Sequence, residues 1–184
     1  MRVIAGSARR LLLKTVEGMD TRPTQDRIKE TLFNMIQNDL YGTNFLDLFA
    51  GSGGIGIEAL SRGAKSAVFI DNGSRQISCI KDNLKTTKFE EKAQVICGDV
   101  VSSLKMLENA GKKFDFVFMD PPYNMELEKR VMEAFTKSDM ADEETVFIIE
   151  ASLETSFSWA AEMGYEIIRS KEYKTNKHVF LKRA

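Results

Sequence analysis

The fold is decided by the stretch Asp47-Leu48-Phe49-Ala50-Gly51-Ser52-Gly53-Gly54-Ile55-Gly56. The apolar run 45–49 passes directly into a turn rich in glycine, and a helical pattern follows from about residue 55. Glycine lets the backbone turn sharply and approach a ligand closely. The stretch therefore predicts a buried strand, a tight turn that can hold a ligand, and the first turn of a helix.

Strand and helix patterns alternate outward from this stretch. Short apolar runs typical of buried strands lie at 45–49, 67–70, 94–97, 116–119 and 146–149. Helical segments are expected between them, at 55–62, 74–86, 100–110 and 126–137. This alternation predicts right-handed βαβ units, and hence an α/β fold with a Rossmann-like, mostly parallel, doubly wound sheet.

The two ends of the chain depart from the alternation. Two apolar runs at 165–168 and 178–181, with a plausible turn at 175–177, predict an antiparallel pair at the edge of the sheet. At the other end, residues 11–16 look like half of a hairpin, and apolar spacing predicts an amphipathic helix over 25–40. We therefore expect an N-terminal extension, 1–42, and a main domain, 43–184, within one compact unit.

The composition excludes several kinds of chemistry. The chain has two cysteines, Cys79 and Cys97, without a CxxC pair, and its single histidine is His178. The chain therefore offers few of the cysteine and histidine residues that a zinc site or Ser-His-Asp catalysis needs, and no metal is expected. We expect His178 to be a half-exposed strand residue. The lack of a signal peptide or an apolar span predicts a cytoplasmic protein, and we expect a monomer.

Charge is distributed unevenly along the chain. The net charge is −1, but residues 1–15 carry +4 and residues 169–184 carry +5, which leaves −10 on residues 16–168. Basic ends can be two solvated termini, or they can meet in space as a patch for a polyanion. Charge alone does not choose between these alternatives.

The glycine-rich turn admits more than one ligand. Gly51, Gly53 and Gly56 satisfy G-x-G-x-x-G, so a dinucleotide site and a turn without a ligand both stay open. Asp47 favours S-adenosylmethionine, because an acid inside the strand would repel a pyrophosphate and would suit a cationic ligand. Asp71 and Asp99 end the next two strands, where they could accept hydrogen bonds from ribose hydroxyls and from the adenine amine.

A second motif, Asp120-Pro121-Pro122-Tyr123, follows the fourth predicted strand. It could be a stiff loop, but these residue types suit transfer to the exocyclic amine of a base. Asp120 and the Pro121 carbonyl could accept both amine protons, and the prolines leave no N–H to compete for that carbonyl. Tyr123 could stack on the base. We therefore expect a reaction driven by alignment and acceptor placement.

The two motifs together resemble the amino-methyltransferases among the Rossmann-like, class I S-adenosylmethionine-dependent enzymes. Arg2-Val3-Ile4-Ala5-Gly6 and the stretch RPTQDRIKETLFN at 22–34 are similar to the RsmD family, over nearly the whole chain. That family methylates a guanine exocyclic amine of bacterial 16S rRNA. The resemblance implies 16S rRNA as partner, free or within small-subunit particles, and S-adenosyl-L-methionine as cofactor. The implied cofactor-binding residues are Asp47, Phe49, Gly51, Ser52, Gly53, Gly56, Asp71 and Asp99.

The chain departs from the family pattern in two places. The acid after the second strand is usually glutamate in the family and is Asp71 here. The basic start, Arg9-Arg10, lacks the glycine of the family's Arg-Gly-Arg region. We expect the substrate RNA to be held around the Asp120 pocket by basic side chains, namely Arg9, Arg10, Arg22, Arg27, Lys174 and Lys177.

Other functions remain possible at this point. The motif Asp120–Tyr123 would also serve an amino-methyltransferase of another RNA, of DNA or of a protein glutamine. DNA enzymes generally carry a target-recognition domain, for which 184 residues leave no space, and glutamine enzymes typically have Asn at position 120. An intact Asp120 and Tyr123 argue against a catalytically silent RNA-binding scaffold. An NAD oxidoreductase would lack an obvious catalytic acid–base residue.

Overall fold

A computed structural model describes residues 1–16, 23–123 and 125–184, without the side chains of residues 23 and 24. Within these residues, one sheet has the strand order β3-β2-β1-β4-β5-β7-β6. Its strands are β1 (Asn44–Leu48), β2 (Ser66–Asp71), β3 (Ala93–Cys97), β4 (Phe116–Met119), β5 (Val146–Ser152), β6 (Tyr165–Glu172) and β7 (Asn176–Arg183). The helices are α1 (Pro23–Ile36), α2 (Gly54–Ser61), α3 (Ser74–Thr87), α4 (Val100–Asn109), α5 (Leu127–Thr136) and α6 (Trp159–Glu162).

The predicted fold class is confirmed. Strands β1 to β5 pair in parallel, while β7 pairs antiparallel with both β5 and β6. The strand order reverses between β1 and β4, where open α/β sheets bind their ligands beyond the carboxyl ends of the strands. Asn176 and Lys177, expected in a turn, begin β7 instead. Among the described residues, no helix has the length and apolar character needed to cross a membrane.

Two apolar cores cover the faces of the sheet. Alternate strand residues point to opposite faces, so Phe118 of β4 packs with α2 and α3, and Met119 packs with α4 and α5. The core that contains Phe118 also includes Val3 and Leu13 from the N-terminal segment, together with Leu32 and Phe33 of α1. The N-terminal segment is therefore packed onto the same face of the sheet as α2.

A buried carboxylate anchors that segment. Glu58 of α2 is fully buried, and its oxygens accept hydrogen bonds from the backbone N–H groups of Ile4 (2.9 Å) and Ala5 (3.0 Å). Lys29 Nζ lies 3.3 Å and Arg62 Nε 2.8 Å from the same carboxylate. Burial lowers the pKa of Lys29, and the charge of Glu58 opposes that shift. One acid thus joins the N-terminal segment, α1 and α2.

Antiparallel pairing closes the N-terminal segment on itself. Arg2 and Leu12 form a bridge, Val3 N–H donates to the Leu11 carbonyl (3.0 Å), and Leu13 N–H donates to the Met1 carbonyl (3.0 Å). The intervening loop, 4–10, contacts the C-terminal half of α2 through Glu58 and Ser61. The loop ends with Arg9 and Arg10. The Arg10 N–H donates to the Val3 carbonyl (2.9 Å), and Arg10 adopts a left-handed backbone with φ of 72°.

Candidate active site

The turn between β1 and α2 has the backbone that its glycines predict. Phe49, Gly51 and Gly53 have φ angles of 60°, 56° and 77°, in the left-handed region that favours glycine. Gly56 serves a different purpose, because a Cβ there would lie 2.3 Å from Cε1 of Phe69. The pattern G-x-G-x-x-G therefore combines backbone turning at Gly51 and Gly53 with close helix–sheet packing at Gly56.

Asp71 ties the loops after β1 and β2 together. Its Oδ2 accepts from the Gly51 N–H and its Oδ1 accepts from the Gly73 N–H, each over 2.9 Å. The side chain lines the cavity beside the glycine turn. Asp71 therefore shapes the turn and also presents a carboxylate to whatever occupies the cavity.

Asp47 lies beneath the turn rather than on the cavity wall. It is 1% exposed, and its Oδ2 accepts from the Gly56 N–H over 2.8 Å. Burial raises the pKa of Asp47 well above its usual range; the Gly56 hydrogen bond opposes this shift, and the charges of Asp120 and Asp71 add to it. The carboxylate thus holds the start of α2 and places negative potential under the turn.

Replacing Asp47 with asparagine should separate stability from ligand binding. Because the folded state raises its pKa, the stability cost of the Asp47 carboxylate is absent at low pH and grows as pH rises above the unfolded value. Asp47→Asn keeps an acceptor for Gly56 without that cost. We expect the midpoint temperature of thermal unfolding at pH 7 to rise by roughly 2–4 °C, which is the shift that about 1 kcal/mol of added stability causes in a chain of this size.

Cofactor binding should change in the opposite direction in Asp47→Asn. The loss of a negative charge beneath the turn should weaken affinity for the cationic cofactor, by at most the tenfold to hundredfold that a direct charged contact of roughly 1.5–3 kcal/mol is worth, as measured by calorimetry. Unchanged affinity for S-adenosylmethionine would show that Asp47 is only a structural residue of the turn.

Asp99 caps α4. Its Oδ1 accepts from the Ser102 N–H (2.9 Å) and from the Ser102 hydroxyl (3.1 Å). The backbone hydrogen bond from Ser102 holds the pKa of Asp99 below its usual range. Asp99 also lines the cavity, so one carboxylate fixes the helix start and faces the ligand space.

The cavity beyond the carboxyl ends of the strands measures about 830 Å³. This is within the range of small-molecule and cofactor sites. Its wall includes residues from the predicted sites, namely Phe49, Gly51, Asp71, Asp99, Asp120, Pro121, Pro122 and Tyr123. Ser52 and Gly53 are in the same turn and Gly56 is in the first turn of α2, and none of the three lines the wall.

Other residues of the cavity wall belong to no motif that is recognisable in the sequence. Asn72 and Gln76 follow β2, whereas Leu127, Arg130 and Val131 belong to α5. Arg130 is close enough to Asp99 for its charge to help lower the pKa of that carboxylate. Helix spacing alone predicts α5 but does not show which of its faces closes a cavity.

The motif Asp120–Tyr123 emerges from the end of β4 into this cavity. Asp120 is reached by solvent through the cavity, yet protein atoms surround most of its carboxylate. Desolvation therefore raises the pKa of Asp120 well above its usual range, and the charge of Glu150 adds to the shift. Burial, together with the charges of Asp120 and Glu150, raises the pKa of Tyr123 to about 12, so its phenol stays protonated. Its side chain is 47% exposed, open to a planar partner.

No local sequence pattern predicted the series of hydrogen-bonded polar side chains near Asp120. Glu150 accepts from Asn176 Nδ2 (2.5 Å) and lies 3.1 Å from His178 Nε2, while His178 Nδ1 lies 3.1 Å from the Tyr173 hydroxyl. His178 is 1% exposed, so the expectation of a half-exposed residue is wrong. The antiparallel register of β5 and β7 sets Glu150 opposite His178, a pairing that no local pattern reveals.

The described basic side chains that are expected to hold RNA belong to separate elements of the fold. Arg9 and Arg10 are at the C-terminal end of α2, about 12 Å of helix from the glycine turn, rather than beside the cavity mouth. Lys174 is exposed in the connection before β7. Lys177 Nζ donates to the carbonyls of Leu153 (3.0 Å) and Thr155 (2.9 Å), so it is already engaged.

The other two basic residues lie on the N-terminal side of the chain. Arg27 is exposed on α1. Arg22 lies outside the described residues. The RNA-binding role of all six residues therefore stays a prediction.

Relatives of this chain are found among named enzymes. Residues 1–182 match the model of a family described as conserved hypothetical protein 95. The ribosomal RNA small subunit methyltransferase D of Haemophilus influenzae is 36% identical over 82% of this chain and 78% of that protein. The Escherichia coli protein of the same name is 32% identical over 84% of this chain and 76% of that protein.

Solved structures agree with the fold. The structure of yhhF from Escherichia coli superposes with a TM-score of 0.82 at 27% identity, covering 100% of this chain and 97% of that one. SMU.776, complexed with SAH, has a TM-score of 0.68 at 14% identity, over 84% of this chain and 49% of that one, which shows the fold alone. With the cavity, the two motifs and relatives that match over most of their length, the chain belongs to the RsmD family of ribosomal RNA small subunit methyltransferases.

Proposed function

We propose that this protein transfers a methyl group from S-adenosyl-L-methionine to the exocyclic amine of a guanine in 16S ribosomal RNA. The observation that carries the proposal is the position of Asp120–Tyr123, which opens into the same cavity as the glycine turn. The names of the family relatives support ribosomal RNA as the substrate. We further propose that the protein works as a cytoplasmic monomer on free RNA or on small-subunit particles.

The residues of the cavity fit the cofactor. A carboxylate at Asp71 suits the ribose hydroxyls, and the wall at Asp99 and Val100 suits an adenine ring. The acid at Asp47, beneath the turn, suits a ligand that carries an ammonium and a sulfonium. When bound, S-adenosylmethionine supplies an activated methyl group, and the chain itself needs to supply only binding and alignment.

Asp120 and the Pro121 carbonyl act on the target amine. This nitrogen is a poor nucleophile because its lone pair is delocalised into the ring. Two acceptors for its protons draw it toward tetrahedral geometry, and a positioned acceptor of this kind contributes through alignment and electrostatics. Burial raises the pKa of Asp120, so the fraction of molecules with an ionised acceptor increases with pH.

Tyr123 would hold the base. A guanine amine that takes part in pairing must be unpaired or flipped out before it can enter a cavity of this kind. The half-exposed ring of Tyr123 offers a stacking surface at the cavity, and stacking on an aromatic side chain is worth roughly 1–3 kcal/mol per base. Its high pKa keeps the phenol neutral, which avoids a further negative charge beside Asp120.

A direct assay tests the proposed function. The protein is incubated with S-adenosylmethionine labelled in the methyl group and with small-subunit particles, naked 16S rRNA, large-subunit rRNA, DNA or protein. Label on a single guanine N2 of 16S rRNA would support the proposal. Label on another nucleic acid or on protein glutamine, or no transfer at all, would contradict it.

The basic N-terminal loop provides a separate prediction about RNA binding. Each phosphate contact that is lost removes about one unit of the slope of log affinity against log salt. Replacing both Arg9 and Arg10 with glutamate should therefore weaken RNA binding and flatten the slope by about two units, with cofactor affinity unchanged. Lys112→Glu with Lys113→Glu, an exposed neighbouring pair elsewhere, makes the same charge change as a control.

Two results would contradict this role of the loop. A double mutant at Arg9 and Arg10 that binds RNA like the wild type across a salt titration would leave the loop a purely structural element. Equal weakening in the Lys112 and Lys113 variant would show an effect of net charge rather than of a local contact.

A further inference from the structure

Asp120 has an acidic neighbour on the adjacent strand. Met119 of β4 pairs in parallel register with Ile149 of β5, so the next residues along the two strands are Asp120 and Glu150. Neighbouring strands are about 4.8 Å apart, and residues in register point to the same face of a sheet. The two carboxyl groups therefore come from neighbouring positions at the carboxyl edge of the sheet, where Asp120 lines the cavity and Glu150 is close enough for its charge to act on Asp120.

Glu150 is held in place by two residues of β7. Asn176 Nδ2 donates to one carboxylate oxygen and His178 Nε2 lies 3.1 Å from the other. If His178 carries its proton on Nε2, Nδ1 accepts from the Tyr173 hydroxyl, so every hydrogen bond of the chain points toward Glu150. The side chain of Glu150 remains 19% exposed, so the carboxylate is fixed without being sealed off.

This arrangement costs free energy without a ligand. Asp47 lies in β1, Asp120 directly follows β4 and Glu150 lies in β5, and the negative charges on these neighbouring strands disfavour one another. Among the described residues, the salt-bridge partner of Glu150 is the buried His178. A ligand that offers hydrogen-bond donors to Asp120 and Glu150 at once would relieve the repulsion.

Guanine has such a pair of donors. Its Watson–Crick edge carries N1–H directly beside the N2 amine, whereas an unprotonated ring nitrogen at that position, as in adenine, is an acceptor. We propose that Glu150 accepts the N1–H of the target base while Asp120 accepts from its amine, so that Glu150 selects guanine. This inference rests on the proposed function and assigns the base specificity of the same site.

The spacing of the two acids supports this assignment. The N1 and N2 atoms of guanine are separated by about 2.3 Å, and two carboxyl groups on strands about 4.8 Å apart can converge on such adjacent donors. The ordering of Glu150 by Asn176 and His178 gives the site a defined acceptor rather than a mobile one. A carboxylate that faces a base acceptor has no proton to share with it, and such an unfavourable contact between polar groups is how a site rejects an analogue.

The test replaces the target guanine with 2-aminopurine. This base keeps the amine at C2, but its N1 is an acceptor without a proton. The nucleotide mapped by the labelling assay is replaced in a ligated 16S rRNA, and transfer rates are compared for both bases. We expect the wild type to favour guanine by roughly tenfold to hundredfold, the discrimination of a well-placed pair of hydrogen bonds.

Two variants of Glu150 should change this ratio. In Glu150→Gln the amide can donate to N1, so the preference for guanine should narrow by about tenfold. Glu150→Asp keeps the negative charge, but its shorter side chain moves the acceptor away from the base. The rate of transfer to guanine should therefore fall, while the rate of transfer to 2-aminopurine should change little. Glu144→Gln, an exposed glutamate just before β5, is the matched control and should leave the ratio unchanged.

The outcomes separate this inference from the proposed function. Wild-type protein that methylates no guanine would overturn the proposed function and the inference together. Wild-type protein that methylates guanine, with the same ratio in the Glu150 variants, would overturn the inference alone. A merely structural role for Glu150 would lower both rates equally, and thermal unfolding of each variant shows whether its fold is intact.

Discussion

Replacing Asp120 with alanine is expected to lower the rate of methyl transfer by at least 10²–10³-fold, the loss typical of removing one preorganised polar group from a reacting centre. The carboxylate stands at the end of β4 in the cavity, and the amine has no equivalent acceptor at that position. Affinity for S-adenosylmethionine should stay within a few-fold, because Asp120 is assigned to the amine rather than to the adenosine. Single-turnover transfer and calorimetry measure the two quantities.

The Asp120 prediction has a matched control. Asp139→Ala removes an exposed carboxylate outside the cavity and should leave both quantities at wild-type values. Near-normal turnover in Asp120→Ala would overturn the assigned mechanism. A large loss of cofactor affinity with normal turnover at saturation would instead place Asp120 in the cofactor site.

Replacing Glu58 with alanine should destabilise the protein by roughly 3–5 kcal/mol, the usual cost of removing one partner from a buried ion pair. The change leaves Lys29, which is 4% exposed, without its buried counter-charge. It also leaves the backbone N–H groups of Ile4 and Ala5 without their acceptor. Urea unfolding followed by circular dichroism measures the loss.

A control on α5 isolates this effect. Glu133→Ala removes an exposed glutamate from a helix and should change the unfolding free energy by no more than about 0.5 kcal/mol. Hydrogen exchange should show early opening of residues 3–5 in Glu58→Ala. A variant as stable as the control would mean that apolar packing alone holds the N-terminal segment.

Local sequence patterns predicted most of the elements. The helix over 74–86 corresponds to Ser74–Thr87, and the one over 100–110 corresponds to Val100–Asn109. Apolar periodicity is a property of neighbouring residues, so it survives without knowledge of the partners. The helix over 25–40 was predicted too long at its C-terminus, because α1 ends at Ile36.

The sequence predicted those parts of the candidate site whose positions follow from the order of the strands along the chain. The turn after β1 and the motif after β4 both end parallel strands, and such ends meet at one edge of a sheet. The sequence therefore allowed the prediction that Asp71, Asp99 and Asp120 lie at one cavity. It could not show that Asp47 would lie beneath the turn, because that depends on the hydrogen bond from Gly56.

The α/β class, the edge of the sheet that binds the ligand and the family can be predicted from the sequence, since each follows from residue types at short spacing. Only the folded chain shows that Glu150 meets His178, that Glu58 anchors the N-terminal segment, and that the loop carrying Arg9 and Arg10 packs on the C-terminal end of α2. These contacts join residues from 28 to 54 positions apart. Their partners are chosen by strand register and helix docking, which minimise buried charge and fill the core, and no local pattern encodes that choice.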